Sequence, residues 1–97
     1  MKSTGEILAI LGTALPELKR GFPIRRIALF GSYARGEQTE SSDVDVLVDV
    51  DPAIGLRFVD LADRIEALLG VRADVVSLRA IPERHLSEIQ EELLDVA

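Results

Sequence analysis

Residues 31–50 of the chain read GSYARGEQTESSDVDVLVDV and join a glycine-containing turn to a segment in which acids and valines alternate. Because side chains alternate along a β-strand, the four valines of residues 44–50 share one face, and Asp43, Asp45 and Asp49 share the other. The valine face predicts a core strand over residues 43–50. The acidic face must meet water, a cation or a metal ion, since burial of unpaired carboxylates is costly.

The remaining pattern predicts an α/β (α+β) fold, in which helices pack on one face of a small mixed β-sheet. Apolar spacing predicts a first helix from Ser3 to about Leu18, with Ser3 or Thr4 as N-cap and with Pro16 kinking or ending it early. The other predicted elements are a strand over 24–30, a short helix through 36 capped by Ser32, the strand 43–50, a helix over 54–69 closed by Gly70, a strand over 71–78 and a helix over 82–96.

Asp43 and Asp45 attach about 6.5–7 Å apart on one strand face, so their carboxylates can converge on one divalent ion or bracket two. Asp74, in the predicted strand 71–78, stands beside this pair if the two strands are neighbours. Three carboxylates in one place repel each other unless a cation lies between them. Hard oxygen ligands favour Mg²⁺ or Mn²⁺ over zinc. The pattern therefore predicts a metal site that binds a phosphate ligand through the metal ions.

The turn at Gly31 and Ser32 follows a predicted buried strand, where glycine lets the backbone approach a ligand and N–H groups attract phosphate. Arg35 either binds a phosphate as well or forms a structural salt bridge that holds the loop. Taken alone, the turn and the acid pair are each common features of ordinary domains, but their joint occurrence with a third acid favours a site. Asp49 is interpreted as exposed or as a helix-cap partner, and His85 as a surface residue.

The composition narrows the class of protein. The net charge is −6, and the eleven basic residues are scattered, which disfavours a polymeric nucleic acid but not a small phosphate ligand held through metal ions. Cysteine is absent, and no apolar run approaches the roughly 20 residues of a membrane span. With no signal-peptide pattern at the N-terminus, we expect a cytoplasmic protein whose residues 1–97 form a single domain.

The same residues carry a family resemblance. Gly31-Ser32, ten residues and then Asp43-Val44-Asp45 resemble the G-S-x10-D-x-D signature of the DNA polymerase β-like nucleotidyltransferases. The fuller pattern GSYARG-x5-SDVDVLV is similar to that of the minimal nucleotidyltransferases, or MNT proteins, which are small prokaryotic members of that superfamily. The resemblance covers most of the chain and implies the polymerase β-like nucleotidyltransferase fold.

By this resemblance, Asp43 and Asp45 bind two Mg²⁺ ions, while Asp74 binds metal and activates the attacking hydroxyl. Gly31 and Ser32 would hold the terminal phosphates of the nucleotide donor, ATP. One departure is mild: Ala73 precedes Asp74 where the family often has a bulkier β-branched residue.

The resemblance also implies a partner. MNT proteins act as antitoxins of helical HEPN toxins, in several cases by transferring AMP to a tyrosine hydroxyl of the toxin, so a hetero-oligomer is expected. Because 97 residues leave little room for a substrate-binding domain, we expect the acceptor surface to come from another protein. Two alternatives stay open: an antitoxin that binds nucleotide without catalysis, and, less favoured, transfer to a small molecule such as an aminoglycoside.

Overall fold

The computed structural model describes residues 1–96, which form four strands and four α-helices. In chain order these are α1 (Thr4–Gly21), β1 (Ile24–Phe30), α2 (Gly31–Arg35), β2 (Val44–Val50), α3 (Arg57–Leu69), β3 (Ala73–Ser77), α4 (Glu83–Ile89) and β4 (Leu94–Asp95). Short 3-10 turns lie at Pro52–Ile54, Leu78–Ala80 and Gln90–Glu92. Within residues 1–96, no helix is both long enough and apolar enough to cross a bilayer.

The strands form one sheet in the order β3-β2-β1-β4. β2 pairs parallel to β3 and antiparallel to β1, and β4 pairs antiparallel to the other edge of β1. The predicted mixed sheet within an α/β fold is therefore confirmed. The central position of β2 gives its acidic face a neighbouring strand on each side.

The core lies on the valine face of β2, as its alternation predicts. The four valines of β2 are at most 3% exposed, and they share one apolar cluster with α1 and α3. The helices contribute these buried side chains to it: Ile7, Leu11 and Leu18 from α1, and Leu61, Ile65 and Leu69 from α3. Burial of this face leaves the carboxylates of β2 on the opposite side of the sheet.

Helix α1 passes through Pro16 and ends at Gly21, so of the two predicted effects of this proline, a kink or an early end, the early end was wrong. Proline removes one helical hydrogen bond and crowds the preceding turn. Leu18, which is 3% exposed, anchors the last turn in the core, and this packing outweighs the local cost of proline. At the other end, Ser3 caps the helix in a capping box with Glu6, as one of the two predicted caps.

Two predicted helix starts also differ from the structure. Ser32 lies within α2 rather than capping it, because the helix begins at Gly31 with Phe30 as the N-cap residue. The predicted helix over 54–69 is a 3-10 turn followed by α3, and Gly55 between them has φ +53°. That left-handed backbone interrupts the helical run, whereas Gly70 closes α3 with φ +67° as predicted.

The C-terminal segment departs furthest from the sequence prediction. A single helix over 82–96 was expected, but α4 ends at Ile89 and the chain then forms a 3-10 turn and β4. The N–H of Val96 donates to the carbonyl of Ile27, and Val96 is 8% exposed. Pairing with the free edge of β1 satisfies backbone groups and buries Val96, which explains why the helix does not continue.

The packing of α3 gives a stability prediction. Ile65→Ala removes a fully buried side chain and should lower the free energy of unfolding by about 2–5 kcal/mol. Val59→Ala on the same helix is the matched control, since Val59 is 59% exposed, and it should change stability by no more than about 0.5 kcal/mol. Urea unfolding followed by circular dichroism measures both, and equal effects would contradict the assigned core face of α3.

Candidate active site

The register of the sheet brings two of the three predicted acids, Asp45 and Asp74, side by side. Asp45 lies opposite Asp74 in the parallel β2–β3 pair and opposite Phe30 in the antiparallel β1–β2 pair. Gly31 follows Phe30 directly, so the turn starts beside Asp45 and Asp74, which form the acid row of the sheet. The expectation that the strands of Asp45 and Asp74 are neighbours is confirmed, and one row across the sheet connects the turn to both carboxylates.

Gly31 and Asp45 approach each other more closely than any side chain at position 31 would allow. A Cβ atom built on Gly31 would lie 2.1 Å from Oδ2 of Asp45, and the backbone of Gly31 has φ +74°. Glycine is therefore required at this position for two reasons: the backbone is left-handed, and the carboxylate of Asp45 packs against it. Ser32, the next residue, is half-buried in the first turn of α2.

Asp43 lies just before β2, and its carboxylate forms an ion pair with Arg72 at 3.2 Å. Arg72 immediately precedes β3, and its carbonyl accepts a hydrogen bond from the N–H of Val44. In residues 1–96, no three acidic or histidine side chains converge closely enough to enclose a metal ion. In this arrangement the carboxylate of Asp43 is engaged by a cation of the protein itself, and the ligand role of the three acids stays a prediction.

The electrostatics of the acid row centre on Asp45. Burial raises the pKa of the Asp45 carboxyl above its ordinary value, and the nearby carboxylates of Asp74 and Asp43 raise it further. Arg35 acts in the opposite direction, and Glu92 adds a further small upward effect on this pKa. Like charges are thus crowded around one half-buried carboxylate, which is the arrangement that a bound cation relieves.

Arg35 is held by two carboxylates. Its Nε donates to Glu37 at 2.7 Å, and its Nη1 donates to Glu92 at 2.8 Å. These hydrogen bonds, to Glu37 first and then to Glu92, raise the pKa of Arg35. Of the two readings left open by the sequence, the structural salt bridge describes what Arg35 does here, and a role in phosphate binding stays a prediction.

The other oxygen of Glu92 reaches the turn itself. Oε1 of Glu92 accepts the N–H of Gly31 at 2.9 Å, so one carboxylate joins the turn to Arg35. The hydrogen bond from Arg35 and that from the Gly31 backbone lower the pKa of Glu92, although its partial burial opposes them. Sequence reasoning missed both Glu92 and Arg72, because each is brought to the site by pairing between distant segments.

Asp74 borders an apolar cavity of about 450 Å³. Phe30 and Val76 contribute from the sheet, and His85 and Ile89 contribute from α4. His85 is exposed, as the sequence interpretation expected, but it lies at this cavity rather than away from the acids. Asp49, which was interpreted as outside the site, lies 4.0 Å from Arg25 near the far end of β2.

A family model and a curated relative place the chain in the same family. The family model described as Nucleotidyltransferase domain matches residues 11–96. The protein adenylyltransferase MntA of Thermococcus cleftensis is 47% identical over 78 residues, which cover 78% of each chain. The matched segment contains the turn and the whole acid row.

Comparison with solved structures supports the same family. A candidate minimal nucleotidyltransferase superposes with a TM-score of 0.82 at 33% identity, covering 96% of this chain and 95% of that one. A toxin–antitoxin complex solved with AMP-PNP gives a TM-score of 0.71 at 25% identity, covering 89% of this chain and 72% of the other.

The contact between Gly31 and Asp45 predicts that Gly31→Ala destabilises the fold more than Gly36→Ala does. Both glycines have left-handed backbones, with φ +74° and +71°, so the conformational cost of roughly 1–2 kcal/mol is shared. A Cβ on Gly36 meets no atom within 4 Å, whereas one on Gly31 collides with Asp45. Thermal unfolding of the two variants measures the difference, and equal losses would contradict the close packing.

The raised pKa of Asp45 predicts a pH-dependent stability. Because the folded protein binds this proton more readily than the unfolded chain, the stabilising contribution is complete below the ordinary value of 3.8 and is lost as the pH rises through the raised value. Ionised Asp45 therefore destabilises the metal-free protein at neutral pH. Asp45→Asn should raise the melting temperature at about pH 7 in EDTA, and this gain should shrink toward about pH 3.

Asp49→Asn is the control for this measurement, because Asp49 lies on the same strand face but beside Arg25. It should give no gain at neutral pH. A stabilisation by Asp45→Asn that is the same at every pH would show that repulsion in the acid row is not its cause.

Proposed function

Since the chain belongs to the nucleotidyltransferase domain family, as one of its minimal nucleotidyltransferases, we propose that it transfers AMP from ATP to a hydroxyl of a partner protein and thereby acts as an antitoxin. Its class of enzyme, a nucleotidyltransferase whose relatives are protein adenylyltransferases, follows from the family. The observation that carries the proposal is the row formed by Gly31, Asp45 and Asp74, which places a turn suited to phosphate beside carboxylates suited to metal and proton transfer.

In the proposed site, Asp43 and Asp45 would hold two Mg²⁺ ions and Asp74 would be the third ligand; Mn²⁺ has the same preference for oxygen. The donor set fits, since all three are carboxylates and the pKa of Asp45 is raised by burial and by its acidic neighbours. The ions would compete with Arg72 for the carboxylate of Asp43. When bound, the ions neutralise phosphate charge and favour departure of pyrophosphate.

The residues of the chain supply positioning and proton transfer. The turn at Gly31 and Ser32, assisted by Arg35, would hold the terminal phosphates of ATP. The acceptor hydroxyl attacks the α-phosphorus, its O–P bond forms as the bond to pyrophosphate breaks, and its proton passes to Asp74. Orientation of the two reactants across one row of the sheet provides much of the catalytic advantage.

The proposed acceptor is a tyrosine of a helical HEPN toxin, held in a hetero-oligomer. The cavity beside Asp74 supports this choice, because its apolar lining suits an aromatic ring whose hydroxyl points at the carboxylate. The toxin–antitoxin complex with AMP-PNP is a structural relative at 25% identity and supports both the partner class and the nucleotide. We propose that residues 1–97 form a single catalytic domain and that it works in the cytoplasm.

The second candidate function is an antitoxin that neutralises its partner by complex formation alone. It is favoured by one observation: Asp43 and Arg35, two of the proposed binding groups, are both engaged in ion pairs within the chain. Under this reading, nucleotide binding contributes to structure but no group is transferred. Mass measurement of the partner separates the two functions.

The proposal predicts that the double variant Asp43→Asn, Asp45→Asn fails to modify the partner. The wild-type protein, incubated with Mg-ATP and its toxin, should add the mass of one or more AMP units to the toxin. Loss of both carboxylates should lower the rate by at least about 100-fold, since charge stabilisation of this kind is worth several kcal/mol. Intact-mass spectrometry of the toxin over time measures the rate.

Asp49→Asn is the matched control, as it removes one carboxylate from the same face of β2 without touching the row. It should retain the wild-type rate. Unmodified toxin that is nonetheless neutralised by the wild-type protein would favour the non-catalytic antitoxin, and full activity of the double variant would exclude the proposed site.

A further inference from the structure

Glu92 connects the C-terminal segment of the chain to the turn that follows β1. It lies in the 3-10 turn Gln90–Glu92, two residues before β4, and its side chain is 21% exposed. Its two carboxylate oxygens accept hydrogen bonds from different donors. Oε1 accepts one from the Gly31 N–H at 2.9 Å, and Oε2 accepts one from Nη1 of Arg35 at 2.8 Å. A single anionic group therefore bridges a backbone donor and a guanidinium.

Those two donors are the ones that the proposed function assigns to the phosphates of ATP. A carboxylate and a phosphate present similar oxygens to N–H donors, and both form short, charge-assisted hydrogen bonds with arginine. The pKa of Glu92 is lowered by Arg35 and by the Gly31 N–H, so the group is an anion at neutral pH. A phosphate and this carboxylate cannot accept the same hydrogens at once.

The surrounding charges also affect the competition between a phosphate and the carboxylate of Glu92. Glu92 raises the pKa of Asp45, so its charge reaches the acid row. Arg35 also donates its Nε to Glu37, a contact that does not involve Glu92. A phosphate that enters would meet one cation already shared between two carboxylates, and it would gain a good site only after Glu92 moves.

We infer that Glu92 is an intramolecular competitor of the nucleotide phosphate, which occupies the Gly31 N–H and Arg35 until ATP displaces it. This inference rests on the proposed function, because it assumes that these donors bind phosphate. The apparent affinity for ATP is then the intrinsic affinity multiplied by the fraction of molecules in which Glu92 has left the turn. Affinity for a ligand that lacks phosphates is unaffected.

The test compares Glu92→Gln and Glu92→Ala with Glu91→Gln by isothermal titration with Mg-ATP. Glu91 is the adjacent acid and is exposed, so its variant makes the same change in net charge without touching the turn. Both Glu92 variants should bind Mg-ATP roughly tenfold more tightly than Glu91→Gln, the scale expected for losing a charge-assisted competitor. Adenosine, used as a probe without phosphates, should bind all the proteins equally.

Two variants are used because glutamine retains an oxygen that can still accept the Gly31 N–H, whereas alanine retains none. A direct readout comes from the amide resonance of Gly31 in the free protein. Loss of the charged acceptor in Glu92→Ala should shift this resonance upfield, and circular dichroism confirms that the variant is folded. An unchanged Gly31 resonance would show that the hydrogen bond does not form and would overturn the inference.

The remaining outcomes separate this inference from the proposed function. If wild type and Glu91→Gln bind Mg-ATP and both Glu92 variants bind it equally or more weakly, Glu92 supports the turn and the competitor role is wrong. If no protein binds Mg-ATP, the proposed function fails and this inference fails with it. Tighter binding of adenosine by the Glu92 variants would also contradict competition for phosphate.

Discussion

Burial of one face of β2 is the constraint on which the rest of the site depends. The side-chain period of a strand is two, so a slip of one residue would turn its valines to solvent and its carboxylates into the core. The four valines are at most 3% exposed, which fixes the register against β1 and β3. The same register sets Asp45 beside Asp74 and beside the residue before Gly31, so the core and the site are specified together.

The features that the sequence predicted have local causes, whereas the features that it missed depend on contacts between distant segments. Strand alternation and turn residues are local signals, and they located β1, the acidic face and the glycine turn. The structure of residues 90–96 depends on the free edge of β1, which lies more than sixty positions earlier in the chain. Arg72 and Glu92 reach the site only through the folded sheet, and the anchoring of α1 beyond Pro16 likewise needs the core.

Some of the charges of the site are paired within the chain, while the carboxylates of Asp45 and Asp74 lie close together and repel each other. Asp43 is paired with Arg72, and Arg35 is shared between Glu37 and Glu92, while the carboxylate of Asp45 packs against Gly31. The proposed ligand contacts of Asp43, Arg35 and the Gly31 N–H therefore compete with internal contacts, whereas Asp74 is exposed. Affinities for metal and nucleotide in such a site are differences between two sets of paired charges, and modest changes in the pairing can alter them strongly.

The close approach of Gly31 to Asp45 links two positions that are fourteen residues apart in the chain. A larger residue at position 31 requires at least that Asp45 be replaced by a smaller residue or that its carboxylate turn away. Loss of the aspartate removes one of the two requirements for glycine at position 31, while the left-handed backbone maintains the other. A glycine at this position in a homologous chain is consequently not evidence by itself that the aspartate is still present.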